Sequence, residues 1–309
     1  MPFGRSITAA IAAAVLLVAC ERSSARTASA PTSPQAAVDE LLDADRAFAA
    51  ASARTDMITV LSSMFAADVV MPVRGGGLAM GSVAAIEALR SDSANLRSRL
   101  EWAPVRGGIS ADGQHGFTFG YMTMHRADSS RVPLKYLAYW IRRPEGWRVV
   151  AYKRGPRAEG EAPSAMMPPS LPPAMVPPWS DSAVIEHHRE SLARAERAFS
   201  DTAQQIGLGP AFVYYGSEDA VNMGGPDDAA FVVGAEAIGR AVSGGGPPTG
   251  SPVSWGPDSV IVASSGDLGV TFGMIRPNAP ASGSATTGFP FFTIWRRLSP
   301  DASWRYVAE

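Results

Sequence analysis

Cysteine is all but missing from this chain: Cys20 is the only one in 309 residues, so neither a disulfide framework nor a thiolate metal site can form. Histidine is almost as scarce. Of the four, His187 and His188 are adjacent, and on a helix they point about 100° apart, too far to chelate one ion as an i, i+4 pair does. No metal and no cofactor is expected. An excess of charge of one sign is also absent: 27 basic and 29 acidic residues leave a net charge of -2, with no electrostatic footprint for nucleic acid or anionic lipid. The glycine runs Gly75 to Gly77 and Gly244 to Gly246 lack the Lys-Ser/Thr of a phosphate loop, and Pro247 and Pro248 stop any helix after the second. No dinucleotide fingerprint and no Gly-x-Ser-x-Gly elbow occurs. These absences leave neutral partners, proteins or apolar small molecules.

What the chain does have is one design written twice. Ala44-Asp45-Arg46-Ala47-Phe48 returns as Ala195-Glu196-Arg197-Ala198-Phe199. Behind each copy, in the same order, come an Asp-led apolar stretch (Asp68, Asp219), a Gly opening a short helix (Gly81, Gly234) and a lone Trp (Trp102, Trp255). Then follow a strand (Gly116 to Gly120, Gly269 to Gly273) and an aromatic strand closing on Trp, two arginines and Trp (Tyr136 to Trp147, Phe291 to Trp304). Landmarks in one order with nearly constant spacing mean duplication. The length, at roughly 150 residues per domain, allows two domains.

Residues 1–20 read as a signal peptide. Arg5 supplies the positive region, and Ile7 to Val18 is an apolar run too short to span a bilayer. Residues 21–33 are a Ser/Ala/Thr/Pro tether with little to bury. The first domain is expected over 34–154, with Ser33 as N-cap and Pro34 at the first helical position. Short helices are expected over Met57 to Phe65 and Ser82 to Arg90, and strands from Trp102 onward. Eight prolines lie between Gly155 and Trp179, a density no helix or central strand survives, so 155–181 reads as a linker. The second domain, 182–309, opens on a helix from about Ser182 closed by Gly207 and repeats the plan.

Three helices followed by a meander ending in Lys135-Tyr136-Leu137-Ala138-Tyr139-Trp140 and Pro144-Glu145-Gly146-Trp147 resemble the nuclear transport factor 2-like superfamily, in its SnoaL-like and ketosteroid-isomerase-like branch. The resemblance covers residues 35 to 154 and 183 to 309. It implies an α+β fold: two tandem cone-shaped barrels, each a curved, mostly antiparallel sheet wrapped around a long N-terminal helix and enclosing an apolar pocket. Members of the superfamily include isomerases, dehydratases, epoxide hydrolases and cyclases beside binding and assembly modules, so fold alone does not give function. The isomerases' Tyr and Asp oxyanion pair has no residue-by-residue match here. Likewise Leu17-Val18-Ala19-Cys20 resembles the lipobox of bacterial lipoproteins, which implies lipidation of Cys20 and a lipid-anchored protein of the cell envelope, periplasmic or extracellular in its globular part.

Helix periodicity gives the sharpest candidate. Val38, Leu41, Phe48, Ala49 and Ser52 share one face with Asp45 in its middle, and Ile185, Leu192, Phe199, Ala203 and Ile206 share one with Glu196. Burying an unpaired charge is costly, and desolvation raises a carboxyl pKa toward the range of general acid/base work. Either the two carboxylates are catalytic, or they fix helix to sheet by pairing with loop donors or with an arginine such as Arg142 or Arg297. Asp and Glu at equivalent positions favour the fixing role, because acid/base geometry is sensitive to one methylene. Asp68 and Asp219 are expected to satisfy turn amides. Pocket walls are expected from Tyr121, Lys135, Tyr136 and Tyr139 in the first domain and Phe272, Phe291 and Thr293 in the second. The first pocket, with its Lys and Tyr residues, is the better candidate for activity.

The functional expectation is a non-catalytic envelope lipoprotein that binds a small apolar ligand or a protein partner, touching the membrane only through its anchor. The alternatives are an isomerase, cyclase or hydrolase using Asp45, and an intramolecular pseudo-dimer with a purely structural role.

Overall fold

Three helices open each half, and each is set by local chemistry. The first, α1 (Pro34–Ser52), begins where the Ser33 hydroxyl accepts from Ala36 N and Pro34 supplies a preset first turn. Asp56 caps α2 (Met57–Met64) in the same way. The chain then forms β1 (Phe65–Pro72), β2 (Leu78–Met80), α3 (Ser82–Ser91) and a long meander, β3 (Arg99–Ile109), β4 (His115–His125), β5 (Arg131–Arg143) and β6 (Gly146–Pro156). The second half repeats this with α4 (Ser182–Ile206), α5 (Leu208–Tyr215), β7 (Gly216–Asn222), β8 (Val232–Val233) and α6 (Ala235–Ser243). It closes with β9 (Val253–Ser254), β10 (Pro257–Val262), β11 (Leu268–Pro277), β12 (Phe289–Arg296) and β13 (Arg305–Ala308). The computed structural model describes residues 33–73, 75–244, 250–279 and 288–309. The expected signal peptide, Cys20 and nearly all of the expected tether lie outside the described residues, among which no helix is long and apolar enough to cross a membrane.

The two sheets have the same topology, β2-β1-β6-β5-β4-β3 and β10-β11-β12-β13-β7-β8, with the last strand of each half lying parallel to its first and the other pairings antiparallel. The registers align the halves residue by residue. Thr118 faces Ala138 where Thr271 faces Thr293, and Gly116 faces Trp140 where Gly269 faces Trp295. Both edge strands shift register at a proline, Pro104 and Pro257, each opposite a glycine. Gly113 and Gly266 turn the equivalent hairpins at φ 66° and 68°.

Alternate residues on these strands face the helix or face away, and both faces are covered. Outward residues of the two halves, among them Phe117, Phe119, Leu137 and Tyr139 on one side and Val270, Phe272, Phe292 and Ile294 on the other, form a single apolar core. The residues from Ser33 onward accordingly fall in one compact unit.

Polar groups lock this contact. Buried Arg296 donates to the Ile109 carbonyl (2.6 Å), the Ser170 hydroxyl (2.8 Å) and Asp267 (3.2 Å). The two equivalent hairpins exchange hydrogen bonds: Asp267 accepts from Ala111 N at 3.1 Å and Asp112 from the Ser264 hydroxyl at 2.7 Å. Arg106, 1% exposed, reaches the Asp219 carboxylate and its carbonyl. Asp219 therefore serves an ion pair between the halves rather than turn amides, and exposed Asp68 pairs with Arg143 at 2.9 Å; each sits inside its strand, β7 or β1, not before it.

The proline-rich segment follows the open edge of β3. Met167 N donates to Val105 O, Ser170 N to Gly107 O, and Ile109 N to Ser170 O, while Leu171 and Met175 pack on the first core. The equivalent edge, β10, has no such cover among the described residues. There Asp258 and Ser259 are exposed, and Arg189 and Ala193 of α4 stand where α1 has buried Val38 and Leu42. A charged, solvated edge resists strand addition.

Candidate functional site

The long helix of each half is seated by a leucine on a glycine. A Cβ on Gly116 would lie 2.4 Å from Leu41 Cδ2, and one on Gly269 would lie 2.5 Å from Leu192 Cδ2. One helical turn after each leucine, at i+4, stands the carboxylate, Asp45 or Glu196. Both are wholly buried. Close helix–sheet approach through the glycine is what brings the carboxyl within reach of strand side chains.

Their partners are neutral donors. Asp45 Oδ1 accepts from Trp102 Nε1 at 2.7 Å and Oδ2 from the Tyr136 hydroxyl at 2.8 Å, with Thr118 also contributing. Glu196 Oε1 accepts from Trp255 Nε1 at 2.7 Å, and Oε2 from the Thr271 hydroxyl at 2.5 Å and Trp295 Nε1 at 2.8 Å. The expected arginine partners lie elsewhere. Arg142 pairs with Glu40 at 2.5 Å, and Arg297 donates to the Gly266 and Pro300 carbonyls beside His188. Burial pushes both carboxyls up, and the hydrogen bonds from indole and hydroxyl groups oppose it.

The two clusters differ by a compensated exchange. Tyr136 is the twin of Phe291, so the half with the shorter carboxylate has the extra hydroxyl. In the half with the longer one, the glutamate reaches past to Thr271 and Trp295. Trp140, the twin of Trp295, donates instead to Thr118 at 2.9 Å.

The cones also differ in filling. In the first, Tyr136, Tyr152, Met57, Leu61, Met122 and Leu134 are all buried, and the Arg154 guanidinium reaches Asn95 at 2.7 Å. In the second, a cleft of about 320 Å³ stands open. Phe199, Leu208, Phe212, Trp255, Ile275 and Phe291 form its apolar wall, and Lys153, Asn222, Thr293 and Glu309 supply polar atoms. Trp255 thus touches the cleft on one side and Glu196 on the other.

Of the expected pocket residues, Phe291 and Thr293 line this cleft, while Tyr136 points inward to Asp45. Tyr121, Lys135, Tyr139 and Phe272 are placed elsewhere, on the outward faces between the halves. Lys135 Nζ donates to the Asp228 and Ala230 carbonyls, Tyr121 stacks edge-on against Phe231, Tyr139 meets His115 at 3.1 Å, and Phe272 is in the shared core. Strand alternation decides this: Tyr136 and Tyr139 differ by an odd number of residues and cannot share a face. Lys153 and Glu309 were not among the sequence candidates. Lys153 belongs to the first half and is outward-facing, so only the packing of the two halves brings it to the second cleft.

No family model matches the chain, and no curated protein matches it in sequence. Solved structures are similar to parts of it. A nuclear transport factor 2-like protein with a cystatin-like fold from Novosphingobium aromaticivorans is 16% identical over 38% of this chain and 80% of its own, with a TM-score of 0.28. A nuclear transport factor 2-like protein of unknown function from Shewanella oneidensis is 8% identical over 38% and 96%, TM-score 0.31. A protein of unknown function with a cystatin-like fold from Nostoc punctiforme is 13% identical over 37% and 85%, TM-score 0.29. On the geometry above, with three helices, a curved meander around the long first helix and a last strand parallel to the first, each half of this chain is an α+β cone of the nuclear transport factor 2-like fold.

Proposed function

We propose that this protein is a non-catalytic binding protein that holds a small apolar molecule in its second cone, with the first cone serving as the scaffold against which the second is built. The observation that carries this reading is the open aromatic cleft of the second half. Its volume is at the small end of ligand sites, which run from about 300 Å³, and its apolar wall with a few polar atoms is the usual composition of such sites.

Catalysis by Asp45 has less support. A general acid or base must come within hydrogen-bond reach of the substrate, and Asp45 is wholly enclosed with both oxygens occupied. Glu196 is enclosed in the same way, behind Trp255. Both carboxylates act as keys that fix helix to sheet. The apolar contact between the halves supports a second role for the first cone, that of an intramolecular partner replacing a second subunit.

Naphthalene, an uncharged apolar probe, tests the reading by titration calorimetry. Saturable binding at one site per chain is expected, and Val242→Trp, which fills the cleft from α6, abolishes it. Absence of binding by the wild type, or binding untouched by the tryptophan, rejects the cleft as the site. The lipid anchor is a separate part of the proposal, resting on the lipobox-like Leu17 to Cys20. Cys20→Ser is expected to move the protein from the membrane to the soluble fraction of its host, and an unchanged distribution refutes it.

A further inference from the structure

The cleft has a polar end that the fold did not require. Lys153 comes from β6 of the first half, and its Nζ lies 4.9 Å from the centroid of the Phe292 ring, where cation–π attraction helps hold it at the cleft. Glu309, after β13, lines the same cleft, and its carboxylate accepts from Asn222 Nδ2 at 2.5 Å. Its backbone is pinned as well, with Glu309 N donating to Val221 O and Met223 N to Glu309 O. A positive donor and a negative acceptor therefore line one aromatic cavity, contributed by different halves of the chain.

That pairing selects a head group. A ligand carboxylate would gain from Lys153 and be repelled by Glu309; a ligand ammonium would meet the reverse. A hydroxyl carries no charge and has both a hydrogen to donate and lone pairs to accept, so it can satisfy the carboxylate and the ammonium together. Resting on the binding role proposed above, we infer that the ligand is a neutral apolar alcohol or phenol whose hydroxyl lies between Lys153 and Glu309 while its ring or hydrocarbon body lies against Trp255 and Phe291. Burial pushes Lys153 down and Glu309 up, each opposed by the other's charge, so both stand closer to their neutral forms than exposed residues do.

The full chain can be titrated with four compounds of one shape: naphthalene, 2-naphthol, 2-naphthoate and 2-naphthylmethylammonium. Hydrogen bonds to charged groups favour naphthol over naphthalene by about tenfold or more, and over either charged congener by at least as much. Lys153→Met leaves Glu309 and shifts the preference to the ammonium compound. Glu309→Gln leaves Lys153 and shifts it to the carboxylate. A pair that merely joined the halves would alter all four affinities alike, so this crossover identifies a head-group site. If naphthalene and naphthol bind equally, the inference falls and the cleft reading stands. If naphthalene does not bind, the cleft reading falls and the inference with it. Variants that unfold are recognised by loss of the near-ultraviolet circular dichroism of the buried tryptophans, and Lys153→Arg, which keeps the charge, then supplies the comparison: retained preference for naphthol supports the site and loss of it overturns it.

Discussion

The exchange of Asp45 and Tyr136 for Glu196 and Phe291 can be tested by converting one cluster into the other. Tyr136→Phe removes a hydroxyl that donates to a buried carboxylate at 2.8 Å. Hydrogen bonds to charged groups are worth about 1.5–3 kcal/mol, so about 2 kcal/mol of stability should be lost. Asp45→Glu alone forces one methylene into a site whose far side Tyr136 occupies; overpacking of this kind costs about 1–3 kcal/mol. Independent effects would sum to roughly 4 kcal/mol in the double variant. The second half says otherwise. With the hydroxyl gone, the glutamate can extend as Glu196 does to Thr271 and Trp295, keeping Thr118 and gaining the Trp140 indole in place of the lost hydroxyl. The double variant should therefore lose no more than the worse single one, a coupling of about 2 kcal/mol where distant sites add to within about 0.5. Urea unfolding of the four proteins, followed by tryptophan fluorescence at unchanged m, measures it. Additivity within that error would show that the two clusters are not interchangeable and refute the reasoning.

Arg296→Met leaves Asp267 buried without its cation and two acceptors without donors; breaking a buried pair costs about 3–5 kcal/mol, and the released proline-rich segment should be cut faster by protease near Met166 and Met167. An unchanged midpoint would mean that the shared apolar core alone joins the halves. Asp45 and Glu196 have raised pKa values, so their ionisation works against folding as pH climbs above the ordinary carboxylate range, and acid relieves it. Wild type should gain stability relative to Asp45→Asn/Glu196→Gln as pH is lowered from 7 toward 4; a pH-independent difference contradicts this. His115 has the opposite effect: burial, with Asp112 opposing it and Arg143 adding to it, holds its pKa down to about 4, so its contribution is lost as pH falls from the ordinary histidine value of 6.5 toward 4. His115→Gln should flatten the stability profile in that window, which thermal unfolding at stepped pH will show.

The duplication, the helix caps and the core-facing carboxylates were legible because each is a local pattern: a repeated motif, a Ser-Pro pair, a charge at helical spacing among apolar residues. The partners of the carboxylates were not, since indole and hydroxyl donors come from positions some 57 to 99 residues away and nothing local distinguishes them from core aromatics. Strand facing was hidden for a different reason. A sheet covered on both sides reads as an unbroken apolar run, and Lys135 to Trp140 offers no alternation to show which parity faces the helix. The duplicate held the answer, because Thr118 and Thr271, polar residues at one position of the repeat, both turn inward to the carboxylate.

Divergence between the copies follows from their contact rather than from either alone. The shared core fixes the outward faces of both sheets, so change there would separate the halves, whereas the interior of a cone can alter without disturbing its neighbour. Lys153 shows that the contact also shapes the open site: it is an outward residue of one sheet that becomes, through packing, a wall of the other half's cleft. Removing the first cone would thus take away a cleft residue as well as a support. The second cone expressed alone should retain at most the affinity of Lys153→Met, a comparison that separates a scaffold from a participant in the site.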